Sequence, residues 1–311
     1  MELRQLKYFA GVAEELHFGN AAKRLFISQP ALSQQIRLLE ADLGVELFVG
    51  ISRTKLHKVE LTEAGKVFLV DAKRILQLAD KAVRSVRQVG AKQQVINLGV
   101  FKLILPERVM GMLDLFSAHF PNVEINLVEL PNPVQVQYGV ANEQIDLGMS
   151  VLPLVCEGLI ANPYTQADYT ILLNREHRLA GQKSVLLSQL KKEKWIDHGP
   201  EAGLFYSQLE EVCRNAGFHR ESNIAQYVPS FDLLKSMVRS GKGIAFIPAS
   251  LDLEQEPNLV SIPIMNEDGT PFKEIVIRHV LIHKSEQPSP LVQALSGLLK
   301  NQTRQIFERL A

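Results

Sequence analysis

Apolar residues recur at helical spacing along the first 44 residues of the chain. They predict one helix over about residues 4–16 and a second, shorter helix near residues 20–25. A third helix is expected to begin after Ser28, whose side chain can cap it, and to end at Gly44. Pro30 is compatible with this helix because the first helical N–H groups have no intrahelical partner.

The third predicted helix has two chemically different faces. One is an apolar stripe that is expected to pack on the first two helices, formed by Leu32, Ile36, Leu39 and Leu43. The opposite face is formed by Pro30, Ser33, Gln34 and Arg37, with Gln29 at the leading tip. Glutamine can donate and accept hydrogen bonds at an adenine edge, and arginine suits guanine or phosphate. The pattern predicts entry into the major groove of double-stranded DNA, with an ordinary solvated helix face as the alternative.

A basic segment follows this helix. The stretch from Val49 to Val59 has no acidic residue and contains Arg53, Lys55, His57 and Lys58. It predicts a β-hairpin wing whose tip faces DNA phosphates. An ordinary basic loop is the alternative.

One long helix is predicted over residues 62–89, with Thr62 as its N-cap. Apolar residues repeat along it at alternating spacings of four and three, at Phe68, Ala72, Ile75, Ala79, Ala82, Val86 and Val89. This heptad seam predicts a dimerisation arm, because a long helix with a narrow apolar stripe needs a partner. A helix packed within its own domain is the alternative. Residues 90–94 are expected to form a hinge.

From Val95 onward, predicted strands alternate with predicted helices. This order predicts an α/β fold with mostly parallel sheets. Ligands of such folds bind at the carboxyl ends of the strands, so a small-molecule site is expected there.

Composition and charge favour two domains of different kinds. The chain has 311 residues, 46% of them apolar, which is enough for two buried cores. Residues 1–92 hold 15 Lys and Arg against 10 Asp and Glu, whereas residues 93–311 hold 19 against 24. A basic N-terminal part followed by an acidic remainder of the chain suggests a nucleic-acid-binding domain joined to another domain. No apolar run reaches the length of a membrane span and the first residues do not resemble a signal peptide, so a cytoplasmic protein is expected.

The sequence contains no motif that points to catalysis. None of the eight histidines lies in an H-E-x-x-H motif or near a cysteine pair. His279 and His283 would lie about 13 Å apart on a strand, too far to share a metal ion. We therefore predict no catalytic residue, no metal and no cofactor, and a protein that is not an enzyme.

The first 65 residues resemble the winged helix-turn-helix of LysR-type transcriptional regulators. The resemblance rests on the stretch AAKRLFISQPALSQQIRLLEADLG, residues 21–44, and on LTEAG, residues 61–65. Further along, GVANEQIDLGMS and SGKGIAFIPASL are similar to elements of the second half of that family. The resemblance covers essentially the whole chain.

This resemblance implies an N-terminal all-α winged helix-turn-helix with a long linker helix, followed by an α/β effector domain. The effector domain would resemble type 2 periplasmic-binding proteins and consist of two subdomains. The expected division is a DNA-binding domain over residues 1–61, a linker helix over 62–89, a hinge over 90–94 and an effector domain over 95–311. Subdomain I would comprise residues 95–163 and 268–311, and subdomain II residues 164–267. The family further implies a homotetramer built as a dimer of dimers.

A small-molecule effector is implied in the cleft between the subdomains. The positions that match the family's cleft are Phe101, Lys102, Ser150, Gly203, Pro229, Ser230 and Phe231. Lys102 and the helix N-termini at Leu204 and Ser230 could bind a carboxylate, which would suit an organic or aromatic acid. For Ser230, a plain N-cap is the alternative. Effector binding would change DNA bending or contact with RNA polymerase.

Three features of the sequence depart from the family pattern. Gly19 and Asn20 stand where a hydroxyl residue and arginine are more common, so phosphate contacts from the second helix are in question. The wing is about four residues longer than usual, and the loop after INLGV is shorter.

As an alternative to a small-molecule effector, Cys156 and Cys213 could make the protein a redox-responsive regulator.

Overall fold

A computed structural model of the chain describes residues 1–49, 59–89, 94–286 and 288–299. The chain divides into two compact units, Met1–Lys92 and Gln93–Ala311. Among the helices in these described ranges, none is long and apolar enough to cross a lipid bilayer.

The first unit is helical, as predicted. Its elements are α1 (Leu3–Glu15), α2 (Phe18–Arg24), α3 (Gln29–Leu43), β1 (Phe48–Val49), β2 (Glu60–Leu61) and α4 (Glu63–Val89). Leu32, Ile36 and Leu39 are 0% exposed, which confirms the predicted inward stripe of α3. Removing each such side chain from water contributes about 1.5–3 kcal/mol, so this stripe holds α3 against its neighbours.

The LTEAG segment connects the base of the hairpin to α4. Thr62 caps the helix, since its Oγ accepts a hydrogen bond from the Gly65 N–H at 2.9 Å. A Cβ atom on Gly65 would lie 2.1 Å from the backbone oxygen of Leu47. Glycine is therefore required where α4 crosses the chain that leads into β1.

The apolar side chains of α4 have two different environments. Phe68 packs with its ring 5.2 Å from that of Phe9 in α1, and Ala72 is 0% exposed. The first two positions of the predicted seam thus belong to the core of their own unit. Further along, the exposed apolar stripe consists of Ile75, Leu78, Ala82 and Val86. Leu78, which is 65% exposed, is absent from the predicted seam, whereas Ala79 is only half-exposed.

The second unit is α/β. Its strands are β3 (Gln94–Phe101), β4 (Val123–Leu130), β5 (Leu147–Val151), β6 (Leu159–Asn174), β7 (Val185–Leu186), β8 (Trp195–Asp197), β9 (Ile224–Tyr227), β10 (Ala245–Pro248), β11 (Leu259–Met265) and β12 (Val276–Lys284). Its helices are α5 (Pro106–His119), α6 (Pro133–Ala141), α7 (Leu204–Asn215) and α8 (Phe231–Arg239), followed by a helix over residues 290–299.

The prediction of mostly parallel sheets is wrong. The main sheet has the order β4-β3-β5-β12-β6-β11-β7, with β10 also paired to β6. Strand β3 runs parallel to β4 and β5, but β12 is antiparallel to both β5 and β6, and β6 is antiparallel to β10 and β11. The whole of β12 pairs with residues 159–168 of β6, whose remaining residues pair with β10 and β11. These two strands connect the two halves of the sheet and reverse the strand direction there.

Candidate DNA-reading face and effector cavity

The polar face of α3 is exposed to solvent. Gln29, Pro30, Gln34 and Arg37 are exposed, and Ser33 is half-buried. The helix starts as predicted: the Ser28 Oγ accepts a hydrogen bond from the Ala31 N–H at 3.4 Å, and Pro30 occupies one of the first two helical positions. Two amides, a hydroxyl and a guanidinium are thus presented by a helix whose opposite stripe is buried, as base-edge recognition requires.

The start of α2 is organised by His17. Its Nδ1 accepts hydrogen bonds from the N–H groups of Gly19 at 3.0 Å and Asn20 at 3.1 Å. Both backbone donors are therefore engaged within the chain. A phosphate contact at this position would have to use the side chain of Asn20, which is exposed.

The base of the predicted wing is a short antiparallel ladder. Phe48 pairs with Leu61 and Val49 with Glu60. Arg53, Lys55 and Lys58 lie outside the described residues, so their contact with phosphates stays a prediction.

The second unit encloses a cavity of about 50 Å³. Its wall is mostly apolar, and its aromatic residues include Phe101, Phe205, Tyr206, Phe231 and Phe246. A single water needs about 10–15 Å³ of such space, so the cavity admits a group several atoms in size. An apolar concave wall with few polar groups is typical of a small-ligand site.

Two of the residues predicted for the effector site, Phe101 and Phe231, belong to this wall. Ser150 does not: it is 0% exposed, and its hydroxyl donates to the Pro133 carbonyl at 3.0 Å and accepts from the Gln137 Nε2 at 3.3 Å. Those bonds attach the start of α6 to β5. Ser150 therefore has a structural environment that its place at the end of a strand did not indicate.

The remaining predicted positions also lie outside the cavity wall. Lys102 is exposed, and its backbone N–H bonds the Leu130 carbonyl at 3.0 Å. Ser230 caps α8, with its Oγ accepting from the Leu233 N–H at 3.3 Å, which is the alternative expected for it. Gly203 precedes α7 with a φ of 65°, a left-handed conformation that favours glycine, and Pro229 is exposed.

The polar residues of the cavity wall were not predicted from the sequence. They are Asp197, His198, Arg220 and His279. The side chain of Arg220 is 1% exposed and forms an ion pair with Asp197. Its guanidinium carbon lies 5.2 Å from the ring centroid of Tyr206 and 5.7 Å from that of Phe246. No motif or periodicity marks these residues, because they come together only in the folded unit.

The two histidines of the wall are neutral near pH 7. Burial lowers the pKa of His198, although its hydrogen bond to the Val228 carbonyl acts in the opposite direction. Burial, together with the charge of Arg108, lowers the pKa of His279 to about 4. The cavity therefore gains no positive charge from either imidazole at neutral pH.

The cysteines do not favour the redox alternative. Both are free thiols; Cys213 is buried and Cys156 half-buried. Burial raises the pKa of Cys156 and raises that of Cys213 to about 12. Because the thiolate is the reactive form, both thiols are poorly suited to respond to an oxidant.

Cys213 is expected to react with iodoacetamide at pH 8 at least about a hundredfold more slowly than a small free thiol. The raised pKa keeps it protonated, so the rate should rise with pH until about pH 12 or until the protein unfolds. Mass spectrometry of the native protein, with the urea-unfolded protein as control, measures this. Rapid labelling of native Cys213 would contradict the burial described above.

Comparison with known sequences identifies the chain. The family model described as a bacterial regulatory helix-turn-helix protein of the lysR family matches residues 3–66, and the one described as a LysR substrate binding domain matches residues 90–304. The chain belongs to the LysR family of transcriptional regulators. The resemblance that the sequence suggested, the fold class and the assignment as a regulator and not an enzyme are confirmed.

Relatives within the LysR family match over most of the chain. The transcriptional regulator AlsR of Bacillus subtilis is 33% identical over 80% of this chain and 81% of its own length. The uncharacterized regulator YnfL of Escherichia coli is 33% identical over 86% of this chain and 89% of its own length. The crystal structure of the LysR family regulator CbnR has a TM-score of 0.68 at 24% identity and covers 97% of this chain and 99% of that one, which shows the shared fold.

LysR family membership assigns the two units their roles. The first unit is a helix-turn-helix DNA-binding domain, and the second is an effector-binding domain. Full-length CbnR has also been solved in complex with its target DNA, with a TM-score of 0.67 to this chain at 25% identity over 97% of this chain and 99% of that one. Regulators of this family bind DNA as oligomers. Within the described residues, no group of three or more His, Cys, Asp and Glu side chains is arranged to hold a metal ion.

Proposed function

We propose that α3 reads the bases of an operator through Gln29, Pro30, Ser33, Gln34 and Arg37. The observation that supports this most is the contrast between the exposed polar face of α3 and its fully buried opposite stripe. The helix is held rigidly by its own core while its hydrogen-bonding groups are presented outward. Pro30 would contact thymine methyl groups, and Arg53, Lys55 and Lys58 would bind phosphates.

The cavity of the second unit is proposed to be the effector site. It is concave, mostly apolar with four phenylalanines, and lined by segments from both halves of that unit, including Phe101 on β3 and Phe231 on α8. A ligand that closes these halves on each other would change the angles between protomers in a dimer of dimers. DNA bending or contact with RNA polymerase would change with them, in a cytoplasmic protein.

Gln34→Ala and Arg37→Ala are each expected to reduce discrimination between operator and random DNA by about 1–3 kcal/mol. Both side chains are exposed on α3, so their removal takes away base contacts while the packing of the helix is unaffected. Gel-shift titrations at one fixed salt concentration, on operator and on scrambled duplex, measure the ratio of the two affinities.

Gln35→Ala is the matched control for this experiment. Gln35 is half-buried beside the inward stripe of α3 and lies off the face that carries Gln34 and Arg37. Its replacement should leave the affinity ratio within about twofold of wild type. If Gln35→Ala relaxes specificity and Gln34→Ala does not, a different face of α3 meets the DNA.

A further inference from the structure

Arg220 is a single positive charge held between two buried carboxylates. It pairs with Asp197, and its Nε lies 3.5 Å from the Glu210 Oε2. The side chains of Asp197 and Glu210 are only 8% and 5% exposed. With all three groups ionised, the cluster carries one net negative charge; Asp197 and Arg220 are part of the cavity wall, and Glu210 is not. The positive charge of Arg220 is thus already neutralised by its own chain.

Arg220 nevertheless retains hydrogen-bonding capacity. Its buried Nη2 has no hydrogen-bond partner among the described residues, and its Nε, which faces Glu210, makes no hydrogen bond either. An unbonded buried N–H group is costly, so a ligand oxygen that accepts from it would gain affinity. Because Arg220 lines the cavity, it supplies the wall with a donor whose charge is compensated.

His198 offers the complementary group. Its Nδ1 lies 3.0 Å from the Val228 carbonyl oxygen, and since a carbonyl only accepts, Nδ1 must carry the proton. In the neutral ring Nε2 is then an acceptor, and it has no hydrogen-bond partner in the described part of the chain. His198 is fixed in place by the edge-on contact of its ring with Phe231, at 4.8 Å between centroids.

We infer that the effector is a compact, uncharged molecule with an apolar body and a hydroxyl group that accepts from Arg220 and donates to His198. This rests on the proposed function, in which the cavity is the effector site. A hydroxyl satisfies both wall groups, since it donates and accepts. The phenylalanine-rich remainder of the wall would cover the apolar body.

A carboxylate fits the same wall poorly. It would add a second negative charge beside Asp197 and Glu210 in a site that is screened little by water. Its oxygens could accept from Arg220 but would face the lone pair of the His198 Nε2. The inference thus departs from the organic acid that Lys102 and the helix N-termini suggested, because those groups lie outside the cavity wall.

Pairs of probes that differ only in their polar group test this inference. Benzyl alcohol against benzoate, and cyclohexanol against cyclohexanecarboxylate, can be titrated into the full-length protein. Trp195, the one tryptophan of the chain, is buried with its ring 5.9 Å from the Arg220 guanidinium and can report binding by fluorescence. In at least one pair the alcohol is expected to bind saturably and at least about tenfold more tightly than its acid.

Two variants connect this preference to the wall. Glu210→Gln keeps the side-chain shape and the acceptor for the Glu221 N–H but removes one negative charge. It should therefore raise the affinity of the acid and reduce the difference in affinity between the alcohol and its acid. Ala202 is also part of the cavity wall. Ala202→Phe should fill the cavity and abolish alcohol binding while operator binding persists. Alcohol binding that survives Ala202→Phe would place the probe elsewhere and overturn the inference.

The outcomes separate the inference from the proposed function. If the acids bind wild type as tightly as the alcohols, or if no alcohol binds, the uncharged-ligand inference is wrong. The base-reading role of α3 would then be unaffected, since gel shifts on the same preparation measure it independently. A wild-type protein that binds operator and random DNA equally well would instead contradict the proposed base-reading role of α3.

Discussion

Arg220→Met should lower the free energy of unfolding of the effector-binding domain by about 3–5 kcal/mol. The substitution leaves Asp197 and Glu210 buried without the cation that both contact. It also removes a guanidinium stacked against Tyr206 and Phe246. The expected loss is large because an unpaired buried carboxylate costs far more than the ion pair contributes.

Urea unfolding followed by the fluorescence of Trp195 measures this effect. The residue is 0% exposed and adjoins Arg220, so its signal reports this domain. The midpoint should fall by at least about 1 M urea. Arg239→Met is the matched control: Arg239 is 42% exposed and pairs with Glu256, and its loss should cost less than about 1 kcal/mol.

The triple variant Asp197→Asn/Glu210→Gln/Arg220→Met separates charge from packing. If unpaired carboxylates cause the loss, neutralising them should restore most of the stability that Arg220→Met removes. If the triple variant stays as unstable as the single one, the stacking of Arg220 on the aromatic rings is the main contribution. A midpoint unchanged by Arg220→Met would contradict both explanations.

The helices of the DNA-binding domain could be predicted because their signals are local. Ser28 and Pro30 mark the start of α3 and Gly44 marks its end, and the buried stripe follows the 3.6-residue period. The face left for DNA is then whatever lies opposite. This explains why the exposed positions of α3 agree with the prediction. The heptad spacing of α4 did not show how far α4 packs against α1, because that contact depends on tertiary packing.

The cavity that we propose as the effector site could not be predicted, because its polar wall is formed by residues that are far apart in the sequence. Asp197, Arg220 and His279 come from separate strands and turns, and the chain around each shows no pattern that distinguishes a buried ion pair from a surface one. Positions carried over from the LysR family located two aromatic wall residues, Phe101 and Phe231. They also selected Ser150 and Ser230, whose hydroxyl groups are used to hold helices in place.

The prediction of mostly parallel strands failed for a related reason. An apolar run such as that in β6 has the same appearance whether its neighbours are parallel or antiparallel. Direction is set by the connections, and here β6 and β12 both pass between the two halves of the sheet. The sequence order of strands and helices predicts the α/β class without revealing these crossings.

Leu78→Glu is expected to reduce the protein to a smaller assembly and to weaken operator binding by about 10²–10⁴-fold. Leu78 is 65% exposed in the apolar stripe that Ile75, Ala82 and Val86 continue along α4. We expect this stripe to pair protomers, because apolar side chains at spacings of three and four on a long helix are stabilised by burial against a second helix. A protomer that binds alone loses the second half-site contact, and with it the gain from divalent binding.

Sedimentation velocity and gel shifts on a two-half-site operator measure the two effects together. Leu78→Met retains the apolar surface and the helix propensity, so it should preserve both the assembly and the affinity. Leu78 belongs neither to the polar face of α3 nor to the cavity wall. The circular dichroism spectrum and the Trp195 fluorescence of Leu78→Glu should therefore match those of the wild-type protein. An intact assembly in Leu78→Glu would show that α4 pairs through another face, and a small assembly with full operator affinity would show that a single protomer suffices to bind.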